Sequence, residues 1–347
     1  MVQPMNVRLA APVGFVGGCE PALTFERVAR GLGIELIVFT PRRPGPLGEI
    51  GPLGEIGPLG EIGEIGEIGE IGEIGEIGEI GATSSAAGTL DDFVARSGVI
   101  TLGYGCDHQT YCALMDAAAR KLRPNSSTVH LARDPLAARS VLQDWGFEVA
   151  EFEEIDSGDT EAVERFGRRH GWPVRLRAAR WGPTGPAVHV VRPYTVLDQA
   201  WADSSGQRWL LEAYEPLAAG LAVVIARRPS GQQVVYPVLA NAEHDCRPGA
   251  QSPFAASLEE HAISTANSIV DRLDATGIII VRFSCGQDGR LLVDDIADGP
   301  DVSLEDRGAP DDSLVAVHLR AILDWPLDLT TAPQQNAARL PRPSQRA

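Results

Sequence analysis

From Thr276 to Ala297 the chain reads TGIIIVRFSCGQDGRLLVDDIA, two apolar runs on either side of a polar break. Gly277 to Phe283 is apolar and β-branched, Gln287-Asp288-Gly289 carries turn residues, and Leu291 to Ile296 is apolar again, which predicts a β-hairpin. Side chains alternate across a strand, so Ile278, Ile280 and Arg282 are expected on one face, and Leu291, Val293 and Asp295 on one face of the partner. Arg282 and Asp295 then meet at the same end of the hairpin.

A second pattern has a period of three. Between Gly45 and Gly81 glycine occupies every third position, mostly as Gly-Glu-Ile. A helix would carry a penalty of about 1 kcal/mol at each glycine relative to alanine. A strand, with its period of two, would throw isoleucines onto both faces. An extended threefold helix fits the spacing, although collagen-like assembly would need three chains and the tract has no proline after Pro58. The expectation is a flexible or polyproline-like insertion that arose by repeat expansion. Thr330 to Ala347, rich in Pro, Gln, Ala and Arg, reads as a disordered tail.

At 347 residues and 44% hydrophobic content the chain can bury a sizeable core and divides into two or three domains. No run is long and apolar enough to span a bilayer, and the N-terminus lacks a basic region followed by an apolar stretch, so a cytoplasmic protein without membrane partners is expected. Cys19, Cys106, Cys112, Cys246 and Cys285 are scattered without metal-like or disulfide-like spacing and read as free thiols. The sequence His244-Asp245-Cys246 is suggestive as letters only, and surface residues are the expectation there. The net charge is −17, and nine repeat glutamates supply more than half of it, which argues against a nucleic-acid partner. The basic residues are lopsided: Lys121 is the sole lysine among 30 basic residues.

These patterns resemble one branch of the ATP-grasp superfamily, the 5-(carboxyamino)imidazole ribonucleotide synthases of purine biosynthesis (the PurK family). VGFVGG (Val13 to Gly18), a helical pattern and LGIELIVF (Leu32 to Phe39) are similar to the family's opening strand, glycine-rich turn, helix and second strand. GVITLGYG (Gly98 to Gly105) sits where the family has a strand ending in two glutamates. ARDPLAARSVLQDWGFEVAEF (Ala132 to Phe152) resembles the helix leading into the central domain, and VHLRAILDWPL (Val317 to Leu327) the closing helix. The most similar stretch is LLEAYEPLAAGLAVVIARRPSGQQVVYPVLAN, Leu210 to Asn241. The resemblance covers most of residues 10 to 327. It implies an α/β protein of ATP-grasp fold with an N-terminal Rossmann-like (pre-ATP-grasp) domain over residues 1–125, carrying the repeat insertion at 45–81. A small central lid domain over 126–225, a C-terminal α+β domain over 226–329 and the tail 330–347 follow. The tract is expected to take the place of the family's third parallel strand, ahead of a helix beginning near Thr89-Leu90-Asp91-Asp92, and to leave that sheet edge depleted unless some Glu-Ile-Gly repeats pair there.

The resemblance implies ATP and magnesium as cofactors, with Arg139, Arg177 and Glu212 holding the nucleotide and Asp294 and Asp295 the metal. It also implies a nucleotide ligand and a homodimer. Each nucleotide residue has a plainer alternative: Arg139 as an exposed helix residue, Arg177 as a strand residue with a surface partner, and Glu212 as a charge at a strand end. The departures from the family pattern fall on functional positions. Arg139 and Arg177 stand where the family has two phosphate-binding lysines, and a planar guanidinium fits phosphate differently from a compact ammonium. Arg282 stands where the hairpin should carry the first of two magnesium-binding acids. The glycine-rich flap becomes Trp181-Gly182-Pro183-Thr184-Gly185-Pro186-Ala187, in which two prolines remove donors. Gly103 and Gly105 replace the two glutamates, and Cys19-Glu20 a glycine and glutamine. In the substrate stretch Asp298, Asp301, Glu305 and Asp306 stand where an anionic substrate would bind. Two readings follow: an ATP-dependent carbon–nitrogen ligase of weakened activity, or a pseudoenzyme that keeps the shape for binding a partner. An unselected or artificial derivative is a third. Under the second, Arg282 takes the place of the metal by pairing with Asp295.

Overall fold

The structure is a computed structural model, and its described residues are 12–40, 84–86, 89–103, 106, 108–179, 187–193, 197, 201, 208–214, 219–241, 255–286, 289–300 and 313–327. The repeat at 45–81, the flap at 180–186, the segment His244 to Cys246, residues Asp301, Glu305 and Asp306, and the tail at 330–347 lie outside them.

The N-terminal unit is a parallel sheet of β1 (Val13–Val16), β2 (Leu36–Phe39), β3 (Ser84–Ala86) and β4 (Val99–Leu102) in the order β3-β2-β1-β4. Strands buried on both faces read as continuous apolar runs, as VGFV, LIVF and VITL do. Val13, Phe15, Leu36 and Val38 meet α1 (Cys19–Gly31) on one face, while Val16, Ile37, Ile100 and Leu102 meet α2 (Leu90–Arg96), α3 (His108–Ala118) and α4 (Ser126–Arg133) on the other. The α2 helix starts where its cap residue predicts: the Thr89 hydroxyl accepts from the Asp92 N–H at 3.2 Å. The third strand is present after all. Residues 84–86, just beyond the repeat, pair in parallel with β2 and fill the edge that the tract was expected to leave depleted. Three residues suffice for that pairing, too few to leave a hydrophobic period in the sequence.

The central unit is an antiparallel sheet of β5 (Phe152–Asp156), β6 (Val174–Ala178), β7 (Val188–Val191) and β8 (Arg208–Ala213), ordered β5-β8-β6-β7. Val174, Leu176, Trp209 and Leu211 pack beneath α6 (Thr160–His170). The intervening residues, Arg175, Arg177, Leu210 and Glu212, therefore point to the opposite face, toward α5 (Pro135–Asp144) and the C-terminal sheet.

That C-terminal sheet contains β9 (Ala219–Arg227), β10 (Gln233–Val235), β11 (Leu239–Asn241), β12 (Gly277–Cys285) and β13 (Leu291–Ala297), in the order β10-β9-β12-β13 with β11 also on β9. The boundary expected between residues 225 and 226 falls inside β9, whose whole length pairs with β12 in this sheet. Leu221, Val223, Ile225, Ile279 and Val281 pack on α7 (Ala256–Leu273) and on Ala138 and Leu142 of α5. The opposite face, Ala222, Val224, Ile278 and Ile280, meets α8 (Leu314–Ile322) through Leu314, Val317 and Ala321. The same helix turns Val315, Ala316, Leu319 and Ile322 onto the N-terminal sheet. It is a wedge shared by both units.

His318 lies in this seam with no exposed surface. Its Nδ1 accepts the Ile278 N–H at 3.0 Å, which places the proton on Nε2, and Nε2 donates to the Thr101 hydroxyl at 2.8 Å. Gly277 is required beside it. Its φ is +97°, and a Cβ there would come within 2.8 Å of the imidazole. Burial pushes the His318 imidazole down from 6.5 to about 3. The unfolded chain thus takes up a proton that the folded chain refuses, so the seam's stabilisation is complete above pH 6.5 and declines as pH falls toward 3. We expect denaturant-derived stability to fall by about 1 kcal/mol per unit between pH 6 and pH 5. The variant His318→Phe should be less stable at pH 8, by about 1–3 kcal/mol because it orphans a buried N–H, and should lose most of that slope.

Candidate functional site

Seven charged side chains converge between the central sheet, α5 and the C-terminal hairpin. Arg139 projects from α5, a helix begun by Asp134, whose carboxylate accepts the Ala137 N–H at 2.9 Å, and by Pro135 in its first turn. The residue is 1% exposed, which removes the exposed-helix alternative. Its Nε donates to Glu212 Oε1 at 2.5 Å, Nη1 to the Val293 carbonyl at 3.2 Å, and Nη2 to the carbonyl and Oδ1 of Asp294 at 2.7 and 3.3 Å.

Glu212 does lie near the end of β8, one residue before Ala213, and it is fully buried there. Its second oxygen accepts from Arg175 Nε at 2.9 Å, and Arg175, its register partner on β6, also donates through Nη2 to Asp294 Oδ1. Arg177, two residues along and on the same face, reaches the Asp294 carbonyl at 3.4 Å and Asp295 Oδ1 at 3.3 Å. Its Nε is buried with no hydrogen-bond acceptor among the described residues. Arg282 approaches the other oxygen of Asp295 at 3.4 Å, so the pair expected at the end of the hairpin forms.

A one-residue irregularity builds the acidic side of the site. Arg282 pairs with Asp295 but Phe283 pairs with Val293, which leaves Asp294 unopposed as a β-bulge. Strict alternation would have put Val293 and Asp295 on one face. The bulge shifts the phase, so that Val293 enters the core against α7 while Asp294 and Asp295 both meet the central-sheet arginines. The expected common face of Leu291, Val293 and Asp295 is therefore wrong.

All five residues expected at the site, Arg139, Arg177, Glu212, Asp294 and Asp295, come together. Arg175 was missed although it lies in the same VRLR run. The two-residue period that brings Arg177 to this face brings Arg175 there too. The chain's one lysine is elsewhere, holding the Val94 and Ser97 carbonyls beyond the C-terminal turn of α2 at 2.6 and 2.9 Å.

The charges interlock strongly. Burial pushes the Asp294 carboxyl up, but the Arg175 and Arg139 guanidiniums outweigh it and hold the group well below the usual carboxylate range. Glu212 behaves in the same way: burial raises it, and Arg175, Arg139 and Arg177 lower it further. Arg175 is held above its ordinary value, since Asp294 and Glu212 overcome the opposing effect of burial. Four guanidiniums surround three carboxylates, and both carboxylates expected to ligate magnesium are committed to arginine. Such a donor set does not fit a divalent cation, which needs anionic oxygens free to turn inward. No group of three or more His, Cys, Asp or Glu side chains with metal-site geometry occurs among the described residues. The cavity bordered by Arg175, Tyr214, Ser284 and Asp294 has a volume of only about 30 Å³, against about 300 Å³ or more for a small-molecule pocket.

The substrate side is also internally paired. Asp298 is buried against Arg133 at 3.2 Å, and Arg133 reaches the carbonyls of Cys106 and Gly103. Burial lowers the Arg133 guanidinium, but Asp298 more than compensates and raises it.

Residues 140–302 match the model of the ATP-grasp domain. The chain is 29% identical over 217 residues to the N5-carboxyaminoimidazole ribonucleotide synthase of Synechococcus elongatus, covering 60% of this chain and 53% of the relative. To the phosphoribosylaminoimidazole carboxylase of Schizosaccharomyces pombe it is 26% identical over 213 residues, covering 59% and 38%. The chain thus spans about half the length, or less, of these curated relatives. Among solved structures, the N5-carboxyaminoimidazole synthase of Aspergillus clavatus, in complex with ADP and 5-aminoimidazole ribonucleotide, superposes with a TM-score of 0.68 at 16% identity, covering 93% and 79%. The Thermotoga maritima synthetase superposes with a TM-score of 0.64 at 21% identity, covering 92% and 77%.

Removing one partner from a buried pair strands the other, whereas exposed pairs contribute little. Arg175→Gln should therefore cost about 3–5 kcal/mol of unfolding free energy. Arg165→Gln, which breaks an exposed bridge to Glu153, should cost less than about 1 kcal/mol in the same urea titration.

Proposed function

We propose that this chain is a PurK-like ATP-grasp protein in which magnesium-dependent ATP chemistry has been replaced by an internal ion-pair lattice, and that it acts as a catalytically silent binding partner in purine biosynthesis. One observation carries this reading: Asp294 and Asp295, the residues that the family resemblance makes metal ligands, are held by Arg139, Arg175, Arg177 and Arg282. A cation entering there would have to displace guanidiniums from both carboxylates, and the Arg175 and Arg139 guanidiniums already hold Asp294 well below the usual carboxylate range. Arg139, with its Nε and both terminal nitrogens engaged by the protein itself, has little left to offer a phosphate. The buried Arg133–Asp298 pair supports the same reading on the substrate side, because it ties up a cation beside the first acid of the altered substrate stretch.

The competing reading is the family reaction, in which ATP and bicarbonate carboxylate 5-aminoimidazole ribonucleotide. What favours it is the retained fold and the convergence of Arg139, Arg177 and Glu212, the three residues that would hold the nucleotide. The two readings part on metal dependence. Titration calorimetry with ATP, with and without magnesium, is expected to give no strengthening of nucleotide binding by the metal. Assays with ATP, bicarbonate, magnesium and 5-aminoimidazole ribonucleotide are expected to release no phosphate above background. Magnesium-dependent ATP binding with substrate-stimulated phosphate release would overturn the proposal. Arg282→Glu, which restores the family's acidic residue opposite Asp295, is expected to make any nucleotide binding respond to magnesium.

A further inference from the structure

The central sheet meets the rest of the chain largely through charge. Among the described residues its apolar contact is one small patch, Leu136 of α5 against Phe152, Ala179 and Leu210. Beside that patch stand three ion pairs, Arg139–Glu212, Arg175–Asp294 and Arg177–Asp295, each with one member on β6 or β8 and the other on α5 or β13. The body side is rigid by comparison, since α5 and β13 share a core through Ala138, Leu142, Leu291 and Val293.

We propose that this lattice is a latch that holds the central lid closed on the body with neither nucleotide nor metal bound. The inference rests on the reading above that the site does not work through a metal–nucleotide complex. The side chains themselves supply both signs of charge that bridge the two halves. Separation would not leave every charge stranded. The lid would keep Arg175–Glu212, at 2.9 Å, and the body would keep Arg139–Asp294 and Arg282–Asp295, at 3.3 and 3.4 Å. Among the described residues, Arg177 alone would lose its salt bridge without keeping a second one on its own side, where Glu212 acts on it only at longer range. The closed state thus gains three cross-pairs in a water-poor site, where charges attract more strongly than in solvent, and Arg177 is the member whose pairing depends wholly on closure. Its contacts, at 3.3 and 3.4 Å, are also the longest of the cross-pairs, so it is the place where the latch can be loosened without dismantling the buried centre.

Spin labels introduced as unnatural amino acids at the exposed Glu164 on α6 and Glu260 on α7 report the lid-to-body distance in the full chain. The latch predicts a single narrow distance distribution without ligand, unchanged by ATP and magnesium at millimolar concentration. Arg177→Glu, which faces Asp295 with a like charge, should add a longer-distance population of at least a third of the signal. Arg177→Met, which keeps the apolar stem and removes the charge, should add a smaller one. A broad distribution in the unliganded chain that narrows on adding ATP and magnesium would overturn the latch. So would unchanged distributions in both variants; if Arg177→Glu fails to fold, the wild-type comparison and Arg177→Met still decide. Phosphate release by a chain with a narrow unliganded distribution would sink the functional reading and leave the latch standing, and an inert chain with a broad one would do the reverse.

Discussion

Glu212 has no exposed surface, and an ionised carboxylate taken wholly out of water must be met by opposite charge. That requirement organises much of what surrounds it. One oxygen needs Arg139, which fixes the rotation of α5, and the other needs Arg175, which fixes the registration of β6 on β8. Two guanidiniums on one carboxylate leave an excess of positive charge, and Asp294 absorbs it by contacting both. Asp294 can reach them because the bulge takes it out of strand alternation. The position of the lid, the tilt of the helix and the irregularity of the hairpin are thus answers to one buried charge.

The arrangement also shows how a fold tolerates changes at charged positions. The hydrophobic faces that define the three units depend on the period of apolar residues, and substitutions at charged positions leave that period untouched. Arg282 and Arg175 sit among intact apolar neighbours such as Ile280 and Leu176. A guanidinium facing Asp295 gives that carboxylate a permanent counter-charge within the chain itself.

Much of this architecture is legible in the sequence, and the failures have local causes. The hairpin from Gly277 to Ala297 and the opening β-α-β pattern are written in runs long enough to show a period. The meeting of Arg282 with Asp295 follows from alternation because both lie on the same side of the bulge. The common face assigned to Leu291, Val293 and Asp295 fails because a single extra residue, Asp294, reverses the phase and nothing in its chemistry announces that. β3 escapes notice because three residues, Ser84 to Ala86, carry no period, and β9 is cut by the expected boundary because chain order says little about which sheet a strand joins. The five site residues are legible only through the family resemblance. Arg175 is not among them, yet the spacing of VRLR places it beside Arg177, and its importance comes from Glu212, which lies 37 residues away in the chain.

The helix that wedges both sheets together sets an order on the chain's assembly. Val13, Phe15, Leu36 and Val38 emerge during synthesis long before part of their cover, which includes Val315, Leu319 and Ile322. The link from Thr101 to His318 closes a loop of 217 residues. Until that loop closes, the N-terminal sheet waits with part of one face bare, so long-range closure slows folding and lengthens the time in which the nascent chain is open to misassociation. An acidic insertion of nine glutamates lies within that waiting segment, and its charge gives neighbouring nascent chains a reason to stay apart.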